Sequence, residues 1–271
     1  MQTRLSQASA QWGLTDPDLI AETPRATVFR VQTQGHLAAL KLLTADGIAS
    51  EGGAPALLRH WNGDGSVMLL AASDDAHLLG WLPGPSLGDL ARGGDDMGAA
   101  KVLAEAALRL HHASPLPGVE TLDQLMAPLL SHASPTPEMA RAAGLARQLL
   151  ATAPPPKLLH GDLHHDNLLG DGKGGWAAID PKGVVGDPAF DLANAFRNPV
   201  GMEREAANPA RAARLADLFA EVTGYDRNRL IGWAGVLPAL SAIWNGTEAT
   251  PGHDRNLLAA FLPLAEAALN A

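Results

Sequence analysis

The 271-residue chain contains no cysteine, which removes disulfide scaffolds, thiolate metal sites and cysteine nucleophiles from consideration. Aromatic residues make up only 4% of it, and Lys41 is the one lysine in the first hundred positions. Positive charge is scarce as well: 20 lysines and arginines stand against 29 aspartates and glutamates, for a formal charge of -9. Affinity built on neutralising nucleic-acid phosphates is therefore disfavoured, and a cationic small molecule suits the chain better. No stretch approaches the roughly 18 uninterrupted apolar residues of a membrane span, and Met1 to Gly13 lacks the apolar run of a signal peptide. The expectation is a soluble cytoplasmic protein with no nucleic-acid or membrane partner, its oligomeric state left open. Core material is ample, with 46% hydrophobic residues.

Along the chain, apolar residues at Val28, Phe29 and Val31, then at Leu37, Ala39, Leu40 and Leu42, predict a β meander over 18–43. A helix is expected over 48–61, weakened at its start by Gly52, Gly53 and Pro55, and two further strands over 67–72 and 76–82. Proline and glycine then crowd between Trp81 and Asp96. The organisation read from this is a small lobe over 1–82, a linker over 83–96 and a mainly helical lobe over 97–271. Helices are expected over 97–112 and 138–152, a hairpin-like stretch over 157–179, and helices from Asp191 onward.

Chemistry concentrates in His160-Gly-Asp162-Leu-His-His-Asp-Asn167, followed after a predicted hairpin by Ile179-Asp180-Pro181. Phosphoryl transfer to a hydroxyl needs a carboxylate to take the nucleophile's proton and oxygen ligands that hold magnesium against the phosphates. The spacing His-x-Asp-x-x-x-x-Asn matches the catalytic loop of protein kinases, with the Asp as base and the Asn as metal ligand. Taken singly, each of these residues is an ordinary turn or cap residue. Their ordered combination points instead to a kinase-like fold. Such a fold requires a strand lysine paired with a glutamate of the next helix; Lys41 and Glu51 fit, against the plain alternative of a solvated lysine and a first-turn glutamate.

The same residues, with Asp180-Pro-Lys-Gly-Val-Val-Gly-Asp187 and Ala242-Ile-Trp244-Asn245, resemble the aminoglycoside phosphotransferase family, most closely its streptomycin 6-kinase and hydroxyurea kinase branch. The resemblance implies an α+β, protein-kinase-like two-lobed fold and a phosphotransferase using ATP and Mg2+ on a cationic small molecule, with antibiotic resistance as the result. It implies Asp162 as the base, Asn167 and Asp180 as magnesium ligands, and Lys41 with Glu51 as the phosphate-positioning pair. Trp81 and Leu82 would read the adenine edge. His160 and Asp191 would be structural, bracing the catalytic loop, and the adjacent His164 and His165 are expected to be solvated or loop-bracing.

Departures from the pattern carry information too. The segment Glu22 to Val31 has no G-x-G-x-x-G, so phosphate contact is assigned to the backbone around Arg25, Ala26 and Thr27. A guanidinium- or ammonium-bearing substrate asks for carboxylates and amide oxygens. The candidates are Asn194, Trp244, Asn245 and Glu248, with Glu203, Glu205, Asp217, Glu221 and Asp254 as further carboxylates of the helical tail. A kinase of another small molecule, and more remotely a metal-dependent phosphoesterase suggested by Gly161-Asp162-Leu-His164-His165, are the alternatives; the latter lacks the other ligands of a two-metal centre.

Overall fold

The computed structural model describes residues 2–131, 136–247 and 252–271. The chain divides into two compact units: Met1–Gly84 with Leu169–Lys182, and Pro85–Leu168 with Gly183–Ala271.

The first unit is built on a five-stranded antiparallel sheet in the order β1-β2-β3-β5-β4, comprising β1 (Thr15–Glu22), β2 (Ala26–Thr33), β3 (His36–Leu43), β4 (Leu69–Ala72) and β5 (Ala76–Gly80). Side chains alternate across a strand, and the register exploits this. Val31 opposite Ala38, Phe29 opposite Leu40 and Leu40 opposite Leu78 put one apolar set on a single face. That set packs with Leu5, Ala8 and Trp12 of helix α1 (Gln2–Trp12), which the sequence reading does not anticipate. On the opposite face, Ala39 and Leu79 meet Leu58, Val67, Leu82 and Ile179. Lys41, odd-numbered like Ala39, therefore belongs to this second face, opposite His77.

The single helix expected over 48–61 is two helices, α2 (Ala45–Glu51) and α3 (Ala54–Trp61), interrupted at Gly52 and Gly53. A further correction concerns the hairpin of Leu168–Gly170 and Trp176–Ala178, which the sequence reading assigns to the helical lobe. Residues from Leu169 to Lys182 cluster with the first unit because backbone bonds tie them there: Val67 N to Ala178 O (2.8 Å), Ala178 N to Gly65 O (2.9 Å) and Gly84 N to Gly170 O (2.9 Å).

The second unit begins with helix α4 (Leu87–Arg92), inside the stretch read as linker. A capping box between Ser86 and Asp89 starts this helix despite the surrounding glycines. It is followed by α5 (Asp96–Leu110), α6 (Leu122–Ser131) and α7 (Pro137–Ala151), of which α6 falls between the helices expected over 97–112 and 138–152. After the His160–Asn167 loop come the short helices α8 (Pro188–Asp191), α9 (Ala193–Phe196) and α10 (Glu203–Ala206), then α11 (Pro209–Thr223), α12 (Arg227–Asn245) and α13 (His253–Leu269). Helix α12 is buried on all sides from Leu230 to Ala242, as expected of an element apolar all round at the centre of a helical unit. No helix among the described residues is long and apolar enough to cross a membrane.

Candidate active site

In the first unit, Lys41 is 6% exposed and its Nζ contacts the carboxylates of both Glu51 and Asp180, the latter at 2.7 Å. Burial alone pushes the ammonium down, yet the charges and hydrogen bonds of Asp180 and Glu51 outweigh it and hold the group above the ordinary lysine value. Glu51 stands in the last turn of α2, not at the head of a helix as its sequence context suggests. A carboxylate there opposes the helix dipole, so the pairing with Lys41 gives the physical reason for its position. Asp180 follows the hairpin with φ +58, a left-handed conformation that turns the chain between strand and loop.

Helix α2 is anchored to the turn before β2. Thr44 caps it by accepting from Gly47 N (3.2 Å) while its hydroxyl donates to Pro24 O (2.9 Å), and Thr44 N donates to Arg25 O (2.8 Å). The turn itself is internally bonded: the amides of Arg25 and Ala26 both donate to Thr23 Oγ1, at 3.3 and 3.0 Å. Two of the amides assigned to phosphate by the sequence reading are thus engaged within the turn. Arg25 is exposed and Thr27 buried. Trp81 and Leu82 are half-buried at the end of the sheet, with the Arg30 guanidinium 6.0 Å from the Trp81 ring centre.

In the second unit, strand Lys157–Leu159 delivers the chain into the His160–Asn167 loop. Gly161 has φ +81, and a Cβ on it would press on Val184 and Gly183, so glycine suits both the turn and the close approach. Asp191, at the end of α8, accepts the amide hydrogens of His160 on Oδ2 and of Gly161 on Oδ1, both at 2.8 Å. His160 is fully buried, and its Nδ1 accepts from Asp162 N at 3.3 Å. Asn167 donates from Nδ2 to Asp162 O at 2.9 Å, tying the far end of the loop to the residue read as the base. Asn194, read from sequence as a substrate contact, donates to the Asp162 carboxylate, Nδ2 to Oδ1 at 2.6 Å.

The histidine pair splits in role. His164 braces the loop by accepting Asp166 N on Nδ1 at 3.2 Å. His165, contrary to the expectation of a solvated or bracing residue, is 0% exposed with neither ring nitrogen hydrogen-bonded, and burial, seconded by the charge of Arg211, pushes its pKa down to about 4.

Several supporting residues escape sequence reasoning because their partners are remote. Arg92 donates to Asp166 Oδ1 (2.8 Å) and Val200 O (3.0 Å), joining α4, the His160–Asn167 loop and the segment after α9. Arg211 holds that segment from the other side, through Phe196 O (3.1 Å) and Asn198 O (3.0 Å), while forming a two-pronged pair with Asp96. Buried Asp187 caps α8 through Ala189 N (3.0 Å) and accepts from Arg229 and Trp233 Nε1 of α12.

Of the other substrate candidates, Trp244 is 52% exposed. Asn245 donates to Asp254 Oδ2 (3.1 Å), and Asp254 is buried and paired with Arg197 (2.8 Å), so this carboxylate already has a cation. Asp217 is paired with Arg227, and Glu203 accepts Gly201 N. Glu248 lies outside the described residues.

The donors present suit magnesium, a hard cation that takes oxygen ligands and keeps much of its coordination for phosphates and water. In the first unit the Asp180 carboxylate is one third exposed; in the second, the Asn167 amide nitrogen is committed to Asp162 O, and its side-chain oxygen would be the atom able to take a cation. Among the described residues no group of three or more His, Asp or Glu forms a self-sufficient metal cage.

The model of the aminoglycoside/hydroxyurea antibiotic resistance kinase family matches residues 11–249. A streptomycin 3''-kinase of Klebsiella pneumoniae is 36% identical over 194 residues, covering 69% of this chain and 73% of that protein. A streptomycin 6-kinase of Streptomyces glaucescens is 32% identical over 256 residues, covering 87% of this chain and 80% of that protein. Among solved structures, a thermostable aminoglycoside phosphotransferase variant in complex with AMP-PNP and hygromycin B matches with a TM-score of 0.64 at 17% identity, over 98% of this chain and 97% of that one. The fold is thus the kinase-like α+β fold of these phosphotransferases.

Proposed function

This chain belongs to the aminoglycoside/hydroxyurea antibiotic resistance kinase family, and from that premise we propose that it transfers the γ-phosphoryl group of ATP to a hydroxyl of an aminocyclitol antibiotic, with streptomycin the leading candidate, and so confers resistance. The observation that carries this reading is the buried ammonium of Lys41 in contact with two carboxylates, Glu51 and Asp180. Keeping a nearly buried lysine charged carries a desolvation cost that a purely stabilising role does not require, which supports a role toward polyanionic phosphates.

In this reading Glu51 orients Lys41 toward the α and β phosphates. Arg25 in the turn and Thr27 at the start of β2 lie against the triphosphate, and Trp81 and Leu82 receive the adenine edge. Asp180 and Asn167 are the ligands for magnesium, which, when bound with the nucleotide, neutralises charge developing on the phosphates. Asp162 accepts the proton of the acceptor hydroxyl on its carboxylate as that oxygen attacks. His160 and Asp191 keep the loop in shape. Trp244 and Asn245 contribute to the acceptor side, where the exposed Trp244 ring suits a guanidinium face. The formal charge of -9 is compatible with a cationic acceptor.

Hydroxyurea, named in the family description, or another small hydroxylated molecule is the second reading. Incubation with labelled ATP and a panel of streptomycin, other aminoglycosides and hydroxyurea tests both. Label on streptomycin supports the first, label on hydroxyurea alone the second, and release of phosphate from a phosphomonoester by water in the absence of ATP, with no acceptor labelled, would overturn both. Mapping the phosphorylated oxygen then separates the 6 position from the 3'' position.

A further inference from the structure

We propose that Asn194 is a positioning residue for the Asp162 carboxylate, forming with Asp191 a two-point grip on the catalytic turn, rather than a contact to substrate. The inference rests on Asp162 acting as the base. Asp191 and Asn194 are three residues apart, the spacing that brings side chains to one side of a helical turn. Together they hold three consecutive residues: Asp191 takes the amides of His160 and Gly161, and Asn194 Nδ2 donates to Asp162 Oδ1 at 2.6 Å.

A carboxylate rotates about its terminal torsion with little restraint, and proton transfer is sensitive to that orientation. One short charge-assisted hydrogen bond fixes the rotation. The donor is itself immobilised, since Asn194 O accepts Asn198 Nδ2 at 2.8 Å and Arg211 holds Phe196 O and Asn198 O on the same segment. A side chain anchored in this way, with its amide nitrogen spent on Asp162, acts on the acceptor through the base.

Two variants separate this role from packing and from substrate contact. Asn194→Asp keeps the size but replaces a donor with a second carboxylate, whereas Asn194→Ala removes the group altogether. With the acceptor identified by the labelling panel, Asn194→Ala is expected to lower kcat by about 30-fold, in line with the cost of misplacing a reacting group. The KM values for ATP and acceptor should stay within about 3-fold, and Asn194→Asp should lose more than Asn194→Ala, because like charges in contact repel. A packing role reverses that order, and a substrate contact appears as a raised acceptor KM with kcat kept; either result overturns the proposal.

A spectroscopic arm needs no acceptor. In protein labelled with 15N-asparagine, the Asn194 side-chain amide protons should resonate downfield and return toward the values of a solvated amide in Asp162→Ala. Indifference to that substitution overturns the proposal even if the panel succeeds. A panel in which nothing is labelled, with the amide shift present, overturns the functional reading and leaves the contact standing.

Discussion

His111 and Asp191 are 80 residues apart in sequence and 2.9 Å apart in space, Nε2 to Oδ2, and both are buried. With hydrogen on Nε2 the ring donates to Asp191, and Nδ1 on its other side lies 2.8 Å from the Tyr225 hydroxyl. The chain thus connects the end of α5, the turn at His160–Asp162 and the segment between α11 and α12 through three side chains. Because Asp191 also carries the His160 and Gly161 amides, the shape of the turn depends on a carboxylate that is itself held from behind.

Acid stability should report on this arrangement. Burial, the largest influence, pushes the Asp191 carboxyl up, but the hydrogen bond and charge of His111, with further help from His160, outweigh it and hold the group below the ordinary carboxylate range. The unfolded chain binds the proton near an ordinary value of about 3.9 and the folded chain only at lower pH. The stabilisation is therefore complete above the unfolded value and is lost as pH falls through the depressed folded value. Asn in place of Asp191 should cost on the order of 3 kcal/mol at pH 7, the price of breaking a buried charged contact, and should flatten the acid limb of stability. Urea unfolding of both proteins at pH 7 and at a pH well below the ordinary carboxylate value of about 3.9 checks this; equal acid sensitivity would exclude the assigned role.

Tyr225 offers a direct titration because it is the only tyrosine in the chain. Burial first, then the negative charges of Asp191 and Asp187, push its pKa up to about 12. Tyrosinate absorbance near neutral to alkaline pH should therefore show a midpoint about two units above the ordinary value of about 10. Since the folded pKa is raised, the linked stability is present below pH ~10 and lost as pH climbs toward the folded value. Tyr225→Phe should remove that alkaline component, and Asp191→Asn should bring the Tyr225 midpoint down. A midpoint at the ordinary value in the wild type would contradict the buried network.

What the sequence discloses and what it hides divide along physical lines. The His160 to Asn167 spacing, Asp180 and the isolated Lys41 are legible because chemistry demands particular residue types at short, fixed separations. The contact of Lys41 with Glu51 follows from a strand and the helix after it. His111, Tyr225, Arg92 and Arg211 are hidden because each meets its partner across a long stretch of chain and each has an ordinary local context. Helix α4 is hidden by the glycines around it, since its start is set by the Ser86 and Asp89 capping box and not by an apolar stripe. Glu51 illustrates a subtler failure: the glycine pair after it reads as a weak helix start, whereas it ends one helix and precedes another.

Gly47 should be intolerant of any side chain. A Cβ at this position would lie 2.1 Å from the carbonyl oxygen of Arg25, a backbone atom that also accepts Thr44 N and cannot swing away. Gly47→Ala must push α2, and Glu51 with it, away from the turn before β2, at a cost of roughly 1–3 kcal/mol. Gly53→Ala is the control, since nothing lies within 4 Å of its Cβ position. The expected result is a lowered Tm and weakened binding of a non-hydrolysable ATP analogue for Gly47→Ala, with Gly53→Ala unchanged in both. Equal behaviour of the two variants would mean that the helix is not seated as described.

Lys41 sets the sharpest conflict between stability and binding. Replacing it with Met leaves the carboxylates of Glu51 and Asp180 near one another with no cation, and loss of one partner of a buried ionic cluster costs about 3–5 kcal/mol. Lys41→Met should therefore lower the Tm and abolish detectable binding of the ATP analogue. Adding Glu51→Leu removes one uncompensated charge, so the double variant should regain much of the stability without regaining binding. Calorimetry of nucleotide binding beside thermal unfolding separates the two effects. If the double variant recovered both, Lys41 would be a structural ion-pair residue, because stability alone would then account for everything its removal does.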